Sequence, residues 1–370
     1  MAALPGSSGS AAPTSVGPSD GSPPTLRDAL EAAARNIERF HRRQHAPRGF
    51  SISVGERGSR VGQRRVPLDR VGIYVPKGSL GYPSSVLMTV LPARIAGVRS
   101  IVVASPPTPS TGAPPDPVLA AAAIAGAQEM LVAGGPGAIA ALAYGTRTVR
   151  PVDKIVGPGN RYVTAAKLVV QQRVAIDGIA GPSEVFVIAD DRCPVERLAL
   201  ELLAQAEHDR DAVAVACLVG RRPFADVERA IARRVPDRSA AVRRTLAENG
   251  FLVRAGSPGE AARLADAFAP EHLVLMMARP DRLAARLRNA GCLLYGPGAT
   301  APLGDYALGT NHVLPTAGTA RFAGALGTSD FEKPLTWARI GMADRRSLAV
   351  PARRIAEAEG FRWHREALGP

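Results

Sequence analysis

From residue 67 to residue 295 short apolar strands alternate with helices, and this rhythm restricts the fold more than any other feature. Strands are expected at 72–75, 100–104, 130–133 and 152–156. Between them lie a helix carrying Val86, Leu87, Val90, Leu91 and Ile95, then helices over 117–128, 136–144 and 161–171. Ser84 is the candidate cap of the first, Pro92 a kink and Gly97 the residue past its end. A second run opens with a strand at 185–189 and a helix ending near His208. It continues with strands at 212–219, 251–254, 273–277 and 292–295 and helices near 223–234, 239–248, 258–268 and 280–288. Strands joined through helices must lie parallel, with both faces of the sheet covered. The expectation is an α/β protein of two Rossmann-like doubly wound halves, residues 67–178 and 179–321, with helical extensions at both ends. Residues 1–24, rich in Ala, Pro, Ser and Gly, form a disordered tail. Residues 25–66 add an Arg-rich helix, striped by Leu26, Leu30, Ala34, Ile37 and Phe40, and a strand and turn at 51–61. Residues 322–370 are irregular, then helical.

The chain has 370 residues, 46% of them hydrophobic, enough for well-buried cores. Its net charge of +13 is mostly arginine spread in short blocks, with lysine only at 77, 154, 167 and 333. Nucleic-acid readers concentrate charge on one element, and here no aromatics are interleaved; a solvated surface attractive to anionic substrates is expected instead. Cys193, Cys217 and Cys292 are odd in number and far apart, as suits packing thiols in a reducing cytoplasm. No apolar run reaches the length of a membrane span, and no secretory leader is evident.

Chemistry concentrates around few residues. In Gln205-Ala-Glu-His208 the carboxamide and imidazole stand three apart at a helix end, so they share a face and could hold one cation, or simply finish the helix. Of six histidines, His41 and His45 lie in the basic helix and are expected at the surface. His272 follows Glu271, His312 trails Asp305 by seven and His364 trails Glu359 by five. Imidazole, carboxylate and carbonyl oxygen together suit zinc, and the lack of nearby Cys argues against a structural finger. Glu271-His272 could divide acid–base work, or be an exposed loop pair. Two glycine turns follow strands: 135–140 fits G-x-G-x-x-A weakly, and Gly157-Pro-Gly-Asn160 either offers amides to a phosphate or makes a tight turn.

Four stretches, in order along the chain, carry a resemblance: VGIYVPKGSLGYPSSVLMTVLPARIAGV from Val71; VDKIVGPGNRYVTAAK from Val152 with IDGIAGPSEVFVIAD; LLAQAEHDRDA from Leu202; and APEHLVLM with LGDYALGTNHVLPTAGTARF between Ala269 and Phe322. With the closing AEAEGFRWHREA, the chain resembles the histidinol dehydrogenase family. The resemblance implies a cytoplasmic enzyme of histidine biosynthesis that uses zinc and two NAD to oxidise L-histidinol through L-histidinal to L-histidine. It implies zinc ligands at Gln205, His208, Asp305 and His364, the last reaching in from a second protomer of a swapped homodimer. Glu271 and His272 become the acid–base pair. Ser183, His312 and Glu359, together with the pair and the ligands, surround the substrate, while Tyr74 and Asn160 touch NAD. No membrane or nucleic-acid partner is implied.

The sequence departs from the family's pattern at several points. A tail stands where the family usually carries a further N-terminal segment, Lys77 replaces a second glycine, and Gly137 replaces a glutamine that touches NAD. The run 323–333 is also altered. Two alternatives therefore accompany the main reading: a related enzyme for another amino or anionic alcohol, and a zinc-binding paralogue without turnover.

Overall fold

The computed structural model describes residues 2–3, 25–45, 49–55, 58–78, 80–235 and 239–369. The tail expected over 1–24 falls outside these except for Ala2–Ala3 (β1), which pairs antiparallel with the edge of the first sheet. Leu26–Gln44 (α1) starts at Thr25, whose hydroxyl and Asp28 form a reciprocal capping box. Gly49–Ser53 (β2) and Arg60–Pro67 (β3) then make an antiparallel pair.

The first half follows as Arg70–Tyr74 (β4), Pro83–Ala96 (α2), Ser100–Ser105 (β5), Asp116–Ala125 (α3), Glu129–Val132 (β6), Gly135–Tyr144 (α4), Lys154–Val156 (β7), Arg161–Val170 (α5) and Ala175–Ile176 (β8). Its parallel strands lie in the order β6-β5-β4-β7-β8. Side chains alternate across it: Val71, Ile73, Ile101 and Val103 pack under α1, α2 and α3, while Tyr74, Val102, Ala104 and Ile155 pack on α4 and α5.

The second half comprises Glu184–Asp190 (β9), Val195–Ala206 (α6), Val213–Val219 (β10), Phe224–Arg234 (α7), Ala240–Asn249 (α8), Gly250–Ala255 (β11), Pro258–Phe268 (α9), His272–Met276 (β12), Asp281–Ala284 (α10), Cys292–Tyr295 (β13) and Ala301–Tyr306 (α11). Its order, β11-β10-β9-β12-β13, repeats that of the first sheet. Val185 and Val187 face α6 and α7, and Phe186 and Ile188 face α9. In each half the first strand lies centrally and the winding reverses beside it, at β4/β7 and at β9/β12; this is the Rossmann arrangement.

Several local expectations need correction. Residues 332–339 form a strand, Glu332–Arg339 (β14), which pairs along the whole of β3, before Met342–Ala358 (α12) and Arg362–Ala367 (α13). Its sequence carries no apolar alternation, and Pro334 is tolerated because β14 lies at the sheet edge. Helix α2 begins at Pro83 rather than being capped by Ser84, since proline needs no partner for the amide it lacks. Within 280–288 only Asp281–Ala284 is helical. His41, expected at the surface, is fully buried, with Nδ1 2.8 Å from the Ile37 carbonyl. Among the described residues no helix is long and apolar enough to cross a membrane.

Candidate active site

Helix α9 ends at Ala269 in the left-handed conformation (φ 54°), and Pro270 delivers the chain into β12 with Glu271 and His272 at its amino end. Both are buried, which excludes the exposed loop pair. Glu271 Oε2 accepts from Ser183 Oγ at 2.7 Å and from the Glu184 amide at 2.8 Å. Glu184 reciprocates, its carboxylate accepting from the amides of Glu271 (3.3 Å) and Ala317 (3.0 Å). The neighbouring amino ends of β9 and β12 are thus stitched together by two carboxylates. Burial raises Glu271 above the usual carboxylate range, against the opposing pull of His272, Ser183 and the Glu184 amide.

His272 Nε2 lies 3.1 Å from Asp305 Oδ1, while Nδ1, 4.0 Å from Glu271, is buried with no hydrogen-bond partner. Burial works to lower this imidazole, but the Asp305 hydrogen bond and the carboxylates of Glu271, Asp305 and Glu201 outweigh it and raise it. Asp305 is itself held below its ordinary value: burial pushes up, and the His272 hydrogen bond with the charges of His272, His312 and His208 pulls further down.

Asp305 is carried by α11, whose start is fastened to α6. Glu201 accepts from Thr300 Oγ1 at 2.7 Å and from the Ala301 amide at 2.5 Å. Gln205, one turn further along α6 and so on the same face, is buried with Nε2 unpaired. The helix stops at Ala206, so His208 lies in the following turn, exposed, its amide donating to the Gln205 carbonyl at 3.2 Å. The shared helix face expected for Gln205 and His208 is therefore replaced by a helix end and a turn.

His312 is placed by its neighbour. Pro92, inside α2, has no N–H for the carbonyl of Met88 four residues before it. Asn311 Nδ2 donates to that carbonyl at 2.6 Å, and its Oδ1 accepts from the Val313 amide at 2.9 Å. From α1, Asn36 Nδ2 reaches the Ala307 carbonyl at 2.7 Å. The loop from α11 to His312 is so pinned to the first half of the chain. His312 Nε2 is a buried atom without a partner, and burial pushes this imidazole down to about 4.

The remaining expected residues do not join this cluster. Tyr74 is buried at the end of β4, its hydroxyl accepting from the Gly135 amide at 3.0 Å. Asn160 caps α5, its Oδ1 accepting from the Tyr162 and Val163 amides. The Gly157 amide is taken by Asp177 Oδ2 at 2.7 Å, and Lys167 binds both Asp177 and the Gly157 carbonyl. In each glycine turn one amide, that of Gly135 or of Gly157, is thus engaged inside the protein. Glu359 caps the carboxyl end of α12 and His364 lies within α13, two helices that pack on each other, and among the described residues no hydrogen bond or ion pair links either to the cluster. Sequence reasoning missed Glu184 and Glu201. Glu184 opens an apolar run and Glu201 stands inside one, which was signal enough to ask what each balances.

The donor set suits a borderline cation in part. Gln205, His208 and Asp305 supply carboxamide, imidazole and carboxylate, and Asp305 Oδ2 has no hydrogen bond among the described residues. The unpaired atoms of Gln205, His272 and His312 mark a polar region lacking internal partners. Among the described residues no group of three His, Cys, Asp or Glu side chains converges as a metal site.

A buried carboxylate–imidazole pair, set at the edge of one Rossmann-type sheet and braced from the other half, defines the class: an α/β protein equipped to move protons at a small polar substrate. The histidinol dehydrogenase family model matches residues 18–369, and the chain belongs to that family. The histidinol dehydrogenases of Methanothermobacter thermautotrophicus and Thermus thermophilus are each 46% identical to it, over 93% of this chain and 81% and 82% of theirs. The crystal structure of histidinol dehydrogenase from Elizabethkingia anophelis matches with a TM-score of 0.84 at 34% identity, covering 93% of this chain and 79% of that one. A succinate-semialdehyde dehydrogenase from Burkholderia pseudomallei shares the fold at a TM-score of 0.53 and 15% identity.

Proposed function

We propose that this chain oxidises L-histidinol to L-histidine through the aldehyde, with NAD as hydride acceptor, as a step of histidine biosynthesis in the cytoplasm. The observation that carries the reading is the Ser183–Glu271/His272–Asp305 cluster in a member of this family: two proton-transfer groups with separate anchors, beside buried polar atoms that lack protein partners.

The two groups differ in what they can do. His272 has one nitrogen steadied by Asp305 and the other unpaired, so Nδ1 can take the alcohol proton as the carbinol carbon loses hydride. Glu271, lifted by burial, can then take a proton from the water that adds to the aldehyde, with Ser183 fixing the carboxylate's orientation. Gln205, His208 and Asp305, completed by His364 of the partner subunit, would hold zinc. When bound, that ion supplies an electrophilic anchor that orients the substrate. Exposed apolar residues on the C-terminal helices support a homodimer: Met342 is 77% and Trp363 71% exposed.

The test is NADH formation by purified, zinc-supplemented protein with L-histidinol beside a panel of other amino alcohols. Turnover with histidinol is the expected result, and turnover only with another alcohol overturns it. Glu271→Gln is expected to spare the first oxidation more than the second in single-turnover assays; equal loss of both refutes the division of labour.

A further inference from the structure

The amino edge of the second sheet holds the candidate site; its carboxyl edge holds a second crevice to which nothing above assigns a role. Strand β12 runs from His272 at one edge to Met276 at the other, four steps or about 13 Å away. There, at the β9/β12 switch point where parallel sheets of this kind bind ligands, lies a cavity of about 430 Å³. Its apolar lining is Met277, Leu283 and Pro258, and around it stand Arg192, Arg279, Arg282 and Arg286.

What sets these arginines apart in this half is that all four stand around one cavity. Arg197, Arg222, Arg233, Arg234 and Arg254 each bind a carbonyl or carboxylate of the protein. Among the described residues, the guanidiniums of the four around the crevice have no hydrogen bond or ion pair. The one acid present, Asp190, is already engaged, accepting from the Ala278 amide at 2.8 Å and the Arg192 amide at 3.0 Å. The Arg286 guanidinium also reaches the start of α9, 3.9 Å from where a Cβ on Gly259 would stand. Four cations and one committed carboxylate thus surround a concavity of ligand size with an apolar floor.

We propose that this crevice binds a phosphate-bearing ligand of mononucleotide size, its phosphates held by guanidiniums and its ring on Met277 and Leu283. The loop after β9, Asp-Asp-Arg-Cys-Pro, has no glycine to bring backbone amides to a phosphate. Arginine side chains, which grip phosphate bidentately, take over that task.

The probe is ADP, titrated calorimetrically into the full-length protein. ADP is expected to bind, and Arg282→Ser/Arg286→Ser to weaken it by about tenfold or more, as loss of two charge-assisted contacts implies. Arg173→Ser/Arg244→Ser, which removes the same charge elsewhere, should leave it intact. The KM for NAD and the turnover of histidinol should stay at wild-type values in the Arg282/Arg286 variant, which separates the crevice from the catalytic site. No ADP binding, binding unchanged in that variant, or equal weakening in the control variant would each overturn the proposal.

Discussion

Replacing Asn311 by leucine tests how the candidate site is fastened to the first half of the chain. The side chain is 2% exposed and satisfies two backbone groups, the Met88 carbonyl that Pro92 leaves without its helical donor and the Val313 amide. Leaving a buried polar group unpaired costs about 1–3 kcal/mol, so Asn311→Leu should destabilise by roughly 2–6 kcal/mol. In a Pro92→Ala background the new amide at 92 can close the helical bond to Met88, and only the Val313 amide is left stranded. The cost of Asn311→Leu should then fall to roughly 1–3 kcal/mol, a coupling of about 1–3 kcal/mol between residues 219 positions apart in the chain. Urea unfolding of wild type, both single variants and the double variant, at one protomer concentration, measures the cycle. Asn311→Leu should also lower kcat/KM, because it releases the loop that holds His312. Additivity within about 0.5 kcal/mol would refute the reasoning and mean that the Met88 carbonyl is satisfied in some other way.

Three further outcomes follow from the same structure. Glu129 accepts from Arg70 through both oxygens, and that hydrogen bond holds its carboxyl below the usual range. With the folded value depressed, its contribution is complete above the unfolded value of about 4.3 and disappears as pH falls through the folded one. Glu129→Gln should cost about 2 kcal/mol at neutral pH and flatten the acid limb of a stability–pH profile, and an unchanged limb would contradict this. Gly157→Ala places a Cβ 2.2 Å from the Tyr74 carbonyl oxygen at φ 114°, and should destabilise by roughly 3 kcal/mol or more, read by thermal unfolding. Trp363→Glu should yield a monomer by light scattering and abolish turnover if the exposed C-terminal helices meet a second copy; a fully active dimer would remove that role.

What was legible in the sequence is what repeats locally. Strands β4, β5, β9, β10 and β12 are apolar runs bounded by turns, and their alternation with helices is enough to specify two parallel sheets. Even His41 was readable: it completes the series Leu30, Ala34, Ile37, His41 at helical spacing, and only its basic neighbours suggested the surface. Strand β14 was not readable, because an exposed edge strand needs backbone partners and no apolar pattern of its own. The candidate site divides the same way. Glu271, His272 and Asp305 stand in recognisable motifs, but what makes them a site is long-range completion: Ser183 on Glu271, Glu201 on the start of α11, Asn311 on a carbonyl freed by a proline in the other half. Each of these unites a polar side chain with a group that its own neighbourhood has left unpaired. A sequence shows such vacancies only in part: Pro92 announces that Met88 needs a donor, but only the fold says which one arrives.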